Sequence, residues 1–575
     1  MDTKPVNTEI KAEELALRQR SISIAEFFEK NRHLLGFDNK RKALLTAVKE
    51  AVDNSLDACE EARVLPEVSV ALTELSEDRF HLVVEDNGPG IVKNQIPQVF
   101  ARLLYGSKFH TLAQRRGQQG LGISAAILYA QLTTGKPAKI VSRIAPKKPA
   151  HYYELRIDVE KNAPQIVKEE ETTWKSEHGT RIEMELEATY QKGMQSVDEY
   201  LKQTAIINPH ATIIYTSPKA EHVIYSRATE KLPPLPREIK PHPYGVEIGL
   251  LMRMLSSTTS RTLQSFLMNE FSRVGAETAK EICRNAALLP NQKPSELGRE
   301  HAEKLIEGIK NTKIISPPTD CISPIGEELI EKGLKKEIPA EFYCSTTRPP
   351  SVYRGNPFQI EAGIAYGGQL PADQPVTVLR FANKVPLLYQ QGACGITEAI
   401  TETNWKSYGL QQSGNGVPSG PAVVLVHMAS VWVPFTSEAK EALAHYPEIM
   451  KEIKLALQEC GRKLSIYVNK KHHAQRQLER ANLFEAYIPE IANSLAALTG
   501  VAKTQLLEKL NSTLRKEEIQ AQLEVRIPEV DEEMRLPTKY DSGDSEEKEN
   551  LTAAATKKVL AKKEGKKKEE QKKLR

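Results

Sequence analysis

The sequence predicts a multidomain α+β chain, and three observations carry that prediction. Strand and helix patterns are mixed through the first 190 residues. A proline-rich junction, Leu232–Pro243, then gives way to a wholly helical pattern, and strands return from Phe358 before long helical segments take over. A length of 575 residues leaves room for roughly three or four domains of about 150 residues each. With 40% hydrophobic residues the chain can bury sizeable cores, which excludes wholesale disorder.

The elements follow in order. Ser23 is placed to cap a helix running through Ala25 to about Leu35. A second helix, starting near Asn39, carries Leu45, Val48, Val52, Leu56 and Cys59 as an apolar stripe. Glu67–Thr73 and Phe80–Val84 read as strands joined by an acidic turn. A helix begins inside Gly120–Tyr129, and strands follow at Ala138–Arg143, Tyr152–Val159 and Thr180–Glu187, an order that implies one sheet covered by helices. Short helical segments fill Val246–Lys310, closed by the Pro- and Ser-containing stretch Ile315–Pro324. Strands at Val376–Phe381 and Ala422–Val426 precede a long helix from near Glu438 to about Glu479, and further helices are expected over Ala481–Thr499 and Thr504–Glu517. After Tyr540 the chain is charged and low in complexity, ending in a Lys-rich run; it reads as a solvated extension, or else as a non-specific DNA tether or membrane-surface patch.

Composition narrows the classes. Against 79 basic residues stand 75 acidic ones, a net charge of +4, so any nucleic-acid contact must come from local patches. The six cysteines form no CxxC pair, which argues against a zinc site or a disulfide framework and points to a reducing, cytoplasmic setting. The polar N-terminus has no signal-peptide core, and apolar runs stop well short of about 18 residues, so no membrane association is expected.

Four segments carry chemistry. In Glu50-Ala-Val-Asp-Asn54-Ser-Leu-Asp57, the residues Glu50, Asn54 and Asp57 share one helix face, opposite the apolar stripe. A carboxylate beside an amide oxygen suits a water-activating base next to a hard cation; a solvated helix face would look the same. Asp86-Asn87-Gly88-Pro89-Gly90 directly follows a strand, where a buried carboxylate can accept a hydrogen bond from an exocyclic amine; an ordinary turn is the alternative. Gly117-Gln118-Gln119-Gly120-Leu121-Gly122-Ile123 runs into a helix and offers a nest of amide donors for phosphate, or else a flexible connector. His178-Gly179-Thr180 opens a strand and alone says little.

As an ordered set the four resemble the Bergerat-fold (GHKL) ATP site shared by gyrase-type topoisomerases, large heat-shock chaperones, MutL-type repair proteins and histidine kinases. The resemblance covers residues from about 40 to 190. It implies an α/β sandwich that binds ATP and Mg²⁺. Glu50 would be the general base, Asn54 the Mg²⁺ ligand and Asp86 the reader of the adenine amine, with Thr180 supporting it. Gly88 and Gly90 would shape the turn by the base, and Gly117, Gln118, Gln119, Gly120, Leu121, Gly122 and Ile123 would wrap the phosphates.

Downstream the chain resembles the B subunits of topoisomerase VI, the type IIB DNA topoisomerases, to about residue 535. The resemblance rests on Ser23–Phe37, on Tyr105-Gly-Ser107-Lys108-Phe-His110, on Ser272-Arg-Val-Gly275 within a helix–two-turn–helix insert, and on Arg380–Tyr389 and Val433–Ala444 within a transducer domain. It implies that Ser107 and Lys108 lie near the nucleotide and that Lys440 reaches from the transducer to the γ-phosphate. Five segments are expected on this basis: an ATP domain with an N-terminal strap over 1–238, the helical insert over 239–320, the transducer with its long helix over 321–482, partner-contacting helices over 483–540, and the charged tail over 541–575. The family implies ATP-driven self-dimerisation, a DNA-cleaving A subunit in an A2B2 heterotetramer, and passage of double-stranded DNA. Trp405-Lys-Ser-Tyr408 resembles a family segment linked to DNA sensing; a half-buried aromatic loop is the alternative. Two rivals are a MutL-like repair ATPase, which lacks the helical insert, and a non-catalytic scaffold, which has no need of Glu50, Asn54, Asp86 and the Gly-rich segment together.

Overall fold

The structure, a computed structural model, describes residues 15–17, 21–106, 111–117, 120–437 and 440–513. Ser107, Lys108, Gln118, Gln119, most of the N-terminal strap, the helix predicted beyond residue 513 and the charged tail lie outside the described residues. The chain divides into two compact units, residues 1–469 and 470–575.

The first helix, α1 (Ile24–Lys30), is capped by Ser23, whose hydroxyl accepts the Glu26 N–H at 3.0 Å. It is shorter than its sequence predicts: the chain breaks at Asn31 and continues as a 3₁₀ turn over Arg32–Leu35. Helix α2 (Lys40–Glu61) starts from an Asn39 cap, and its predicted stripe of Leu45, Val48, Val52, Leu56 and Cys59 is buried throughout. It lies, with α3 (Ile96–Ala101), α4 (Gly122–Thr134) and α5 (Val197–Ile207), on an eight-stranded sheet. The strands are β1 (Glu67–Ser76), β2 (Arg79–Asp86), β3 (Ala138–Arg143), β4 (Ala150–Asp158), β5 (Ala163–Thr172), β6 (Gly179–Glu187), β7 (Thr212–Thr216) and β8 (His222–Tyr225), in the order β5-β4-β3-β6-β2-β1-β7-β8. Only β1 and β7 run parallel within it.

Burial along β2 alternates, with Phe80, Leu82, Val84 and Asp86 facing the helices. The opposite face is polar and carries cross-strand pairs such as Arg79–Glu185 and Arg181–Glu85. The register of β2 thus drives one carboxylate, Asp86, onto the core side. Strand β5 has no apolar alternation because it is the exposed edge of the sheet, which is why its sequence (QIVKEEE) does not read as a strand.

The helical region comprises α6 (Ile248–Ser257), α7 (Leu263–Glu270), α8 (Ala276–Asn285) and α9 (Arg299–Lys310) around a core that includes Leu251, Phe266, Ile282 and Leu305. Helix α10 (Glu327–Glu337) leads into a second sheet of β9 (Phe342–Thr347), β10 (Ser351–Tyr353), β11 (Asn356–Tyr366), β12 (Thr377–Ala382), β13 (Val385–Pro386) and β14 (Ala422–Ser430). Its order is β10-β11-β14-β12-β13, with β9 also on β11. All nine residues of β14 are buried. Val424, Val426 and Met428 share a core with Leu457 and Leu464 of the long helix, while Val423 and Leu425 pack with Ile330 and Leu334 of α10 and Ile206 and Ile207 of α5.

After α11 (Gly395–Glu402), Trp405 is fully buried and its indole N–H donates to the Ile400 carbonyl at 2.7 Å. It is therefore a core residue, unavailable for stacking on a base; Lys406 is exposed beside it. The long helix, α12, spans Pro447–Thr499. It begins later than the expected start near Glu438, because residues 440–446 are not helical, and it is continuous through the expected break before Ala481. In the second unit the C-terminal part of α12 is followed, after a short non-helical link over 500–502, by α13 (Lys503–Thr513). Among the described residues no helix is long and apolar enough to cross a membrane.

Candidate active site

Three neighbouring strands end in one polar row. Asp86 on β2 pairs in register with Thr180 on β6, and Thr180 with Ser142 on β3. Asp86 accepts the N–H groups of Gly88 at 2.9 Å and Thr180 at 3.2 Å through one oxygen, and the Ser55 hydroxyl at 2.9 Å through the other. Burial pushes its pKa up, against the pull of these donors. The Thr180 hydroxyl lies 3.0 Å from that of Ser142, which also accepts the Ile91 N–H. At Gly179, with φ at +135°, an added Cβ would come to 2.0 Å from the Asp86 carbonyl oxygen. The glycine is what lets β6 start against the turn after Asp86.

Above this row, α2 presents Glu50 and Asn54 to a cavity of about 620 Å³. Glu50 rests against the first residue of α4: a Cβ on Gly122 would lie 1.8 Å from its Oε2. The same cavity is lined by Asp86, Gly90, Gly117, Gly120, Leu121, Gly122, Ile123 and Thr180, while Gly88 acts through its N–H on Asp86. Asp57, expected to share the face of Glu50 and Asn54, is instead buried in an ion pair with Arg116. Asp53 faces the protein interior, accepts the Tyr200 hydroxyl at 2.9 Å, and has its pKa raised to about 6 by burial.

The second sheet closes the far wall. Pro386, Leu388 and Tyr389 line the cavity, and so does Lys440. Lys440 is not on a helix. It sits in a loop closed by the Phe435–Leu443 bridge, with φ at +54°, and its ammonium donates to the Arg116 carbonyl at 2.9 Å. Its neighbour Glu441 is held by the Gln390 amide at 2.5 Å and by an ion pair with Lys42 of α2, whose ammonium also stands 5.4 Å over the Tyr389 ring.

Comparison with known proteins bears on this arrangement directly. Residues 39–190 match the model of the histidine kinase-, DNA gyrase B- and HSP90-like ATPases, and residues 317–480 match that of the topoisomerase VI B subunit transducer. The B subunit of the type 2 DNA topoisomerase 6 of Methanococcoides burtonii is 54% identical over 486 residues, covering 84% of this chain and 78% of that one. Its counterpart in Archaeoglobus fulgidus is 49% identical over 482 residues (84% and 80%), and that in Pyrococcus horikoshii 38% identical over 551 (87% and 96%). The chain belongs to the family of topoisomerase VI B subunits. Its first sheet and helices are the ATP-binding domain of that family and its second sheet is the transducer, which sets the MutL-like alternative aside.

The geometry adds residues to those the sequence singles out. Ser55 and Ser142 complete the polar row, Gly179 permits it, and Lys42, Tyr389 and Glu441 hold the transducer against the ATP domain. Ser55 was within reach, since it lies next to Asn54 on the helix; Ser142 becomes visible only through the register of β3 on β6.

Proposed function

We propose that this chain binds ATP with Mg²⁺ and hydrolyses it through Glu50, as the nucleotide-driven gate of an enzyme that passes one DNA duplex through another. The observation that carries the reading is the placement of Glu50 against the start of α4, with Lys440 of the transducer region on the far wall of the same cavity. Asp86 is poised to accept the adenine amine on the oxygen that Ser55 also reaches, with Thr180 behind it. The triphosphate then runs toward Gly117, Gly120 and Gly122, which line the same cavity at and just before the start of α4, where a helix N-terminus favours phosphate.

Asn54 offers a hard amide oxygen beside Glu50, and no group of three or more His, Cys, Asp or Glu side chains is gathered for a metal among the described residues. That donor set fits a Mg²⁺ held mostly by phosphate oxygens and water. When bound, the ion neutralises charge on the phosphates. Glu50 takes the proton from the attacking water, the water oxygen bonds to the γ-phosphorus, and the bond from that phosphorus to the β,γ-bridging oxygen breaks to release ADP and phosphate. Lys440 meets charge building on the γ-phosphoryl group.

Two copies dimerise when ATP is bound, and the transducer passes the change to a DNA-cleaving A subunit docked on the helices after Tyr487, in an A2B2 assembly. Glu50→Ala tests the core of this reading. Nucleotide binding and ATP-dependent dimerisation should persist while turnover falls by about 10²- to 10⁴-fold, the usual contribution of a general base. Turnover at the wild-type rate would remove Glu50 from the mechanism.

A further inference from the structure

Helix α2 carries a second polar site beyond the pocket. Arg116 is buried, and its guanidinium donates to Asp57 at 2.8 Å, to Glu60 at 2.5 Å and to the Asn208 side-chain oxygen at 2.5 Å. Glu60 also meets His210 at 2.9 Å and Lys384, from the turn between β12 and β13, at 3.6 Å. Two carboxylates thus face the Arg116 guanidinium and the Lys384 amine; burial lowers the Lys384 pKa, with Glu60 pulling it back up, and pushes the His210 imidazole toward its neutral form. Burial would raise Glu60, but Arg116 and Lys384 outweigh it and hold the carboxyl well below its usual range.

The main chain of the same arginine does something different. Arg116 directly precedes Gly117, the first glycine of the phosphate segment, and its carbonyl accepts the Lys440 ammonium. Side chain and carbonyl of one residue therefore join the helix of Glu50 to the loop of Lys440.

We propose that Arg116 is a positioning residue for ATP turnover: with its guanidinium locked to Asp57 and Glu60, its carbonyl holds the Lys440 ammonium in place relative to Glu50 and Gly117 before the nucleotide arrives. The inference rests on the roles of Glu50 and Lys440 proposed above. A lysine ammonium on a flexible stem samples many positions, and a rigid acceptor narrows them ahead of the reaction. Only a planar fork can hold both carboxylates and Asn208 together, so a lysine at this position keeps the charge and loses the fixation.

The test is a double-mutant cycle on the full chain, with R116K, K440A and the pair. ATP turnover is read by phosphate release, and affinity by equilibrium binding of ADP, which has no γ-phosphate for Lys440 to meet. R116K should lower kcat about 10- to 100-fold and leave the Kd for ADP within about threefold, and the pair should be no slower than K440A alone. A loss confined to Kd, or rate losses that multiply in the pair, overturns the inference, because an arginine that merely braces the fold acts independently of Lys440. If K440A alone turns over like the wild type, the role of Lys440 itself fails and the inference falls with it. Should R116K not fold, D57N takes its place in the same cycle, with the same results supporting or overturning the inference; it retains the acceptor oxygen and removes one charge.

Discussion

The two polar sites that α2 touches are built on opposite principles. At Asp86 a single carboxylate is surrounded by neutral donors, the Gly88 and Thr180 N–H groups and the Ser55 hydroxyl. At Glu60 the carboxylates are matched by ionisable partners, the Arg116 guanidinium and the Lys384 amine. A cradle of dipoles survives loss of the charge it holds, because its donors can turn to other acceptors. A closed set of buried ions does not, because each removal strands a partner. The first design suits a site that a ligand enters and leaves, the second a joint that stays shut.

The sharpest way to break this comparison is Glu60→Ala. It leaves two cations facing Asp57 alone and should cost about 3–5 kcal/mol of stability, read from the denaturant midpoint at constant slope. A loss below about 1 kcal/mol would mean that the cluster is screened like a surface pair, and the contrast would disappear. Asp86→Asn is the counterpart. An asparagine can keep its oxygen toward Gly88 and Thr180 and turn its NH₂ to Ser55, so stability should stay within about 1 kcal/mol. The same NH₂ would then face the adenine amine, donor against donor, and ATP affinity should fall about 10- to 100-fold by calorimetric titration. Unchanged affinity would take Asp86 out of base recognition.

The same contrast explains how much could be read from the sequence. The pocket was legible because its parts are short contiguous motifs, Glu50 to Asn54, Asp86 to Gly90 and Gly117 to Gly122, ambiguous singly and recognisable as an ordered set. The ATP-domain strands that alternate, such as β2, and the apolar stripe of α2 were legible for the same reason. The charge cluster was not, since Asp57, Glu60, Arg116, Asn208, His210 and Lys384 come from separate stretches that only the tertiary fold brings together. Asp57 reads as a companion of Asn54 on one helix face, because helical spacing says nothing of an arginine arriving from another loop. Strand β5 escaped notice because an edge needs no apolar face, and the late start of α12 because a left-handed residue at Lys440 leaves no trace in a pattern that otherwise reads as helix.

Asp53 stands between the two designs on the same helix and gives the smallest and most discriminating test. It is 5% exposed, it accepts the Tyr200 hydroxyl, and burial, only partly offset by Lys49, raises its pKa from 3.8 to about 6. A carboxyl whose pKa is higher folded than unfolded binds its proton more tightly in the native state. Stability from this group is therefore greatest at low pH and declines as pH rises from about 4 through about 6. Asp53→Asn keeps the acceptor for Tyr200 and cannot titrate. Its stability relative to the wild type should improve by about 1–3 kcal/mol between pH 4.5 and pH 7, measured by paired denaturant curves. A constant difference across that range would mean that Asp53 is ionised throughout, with Lys49 as a true counter-ion, and would move it to the side of the closed charge cluster. A growing difference places it with neither design: a carboxyl that the fold tolerates mainly in its protonated form, one residue from Asn54 and one helical turn from Glu50.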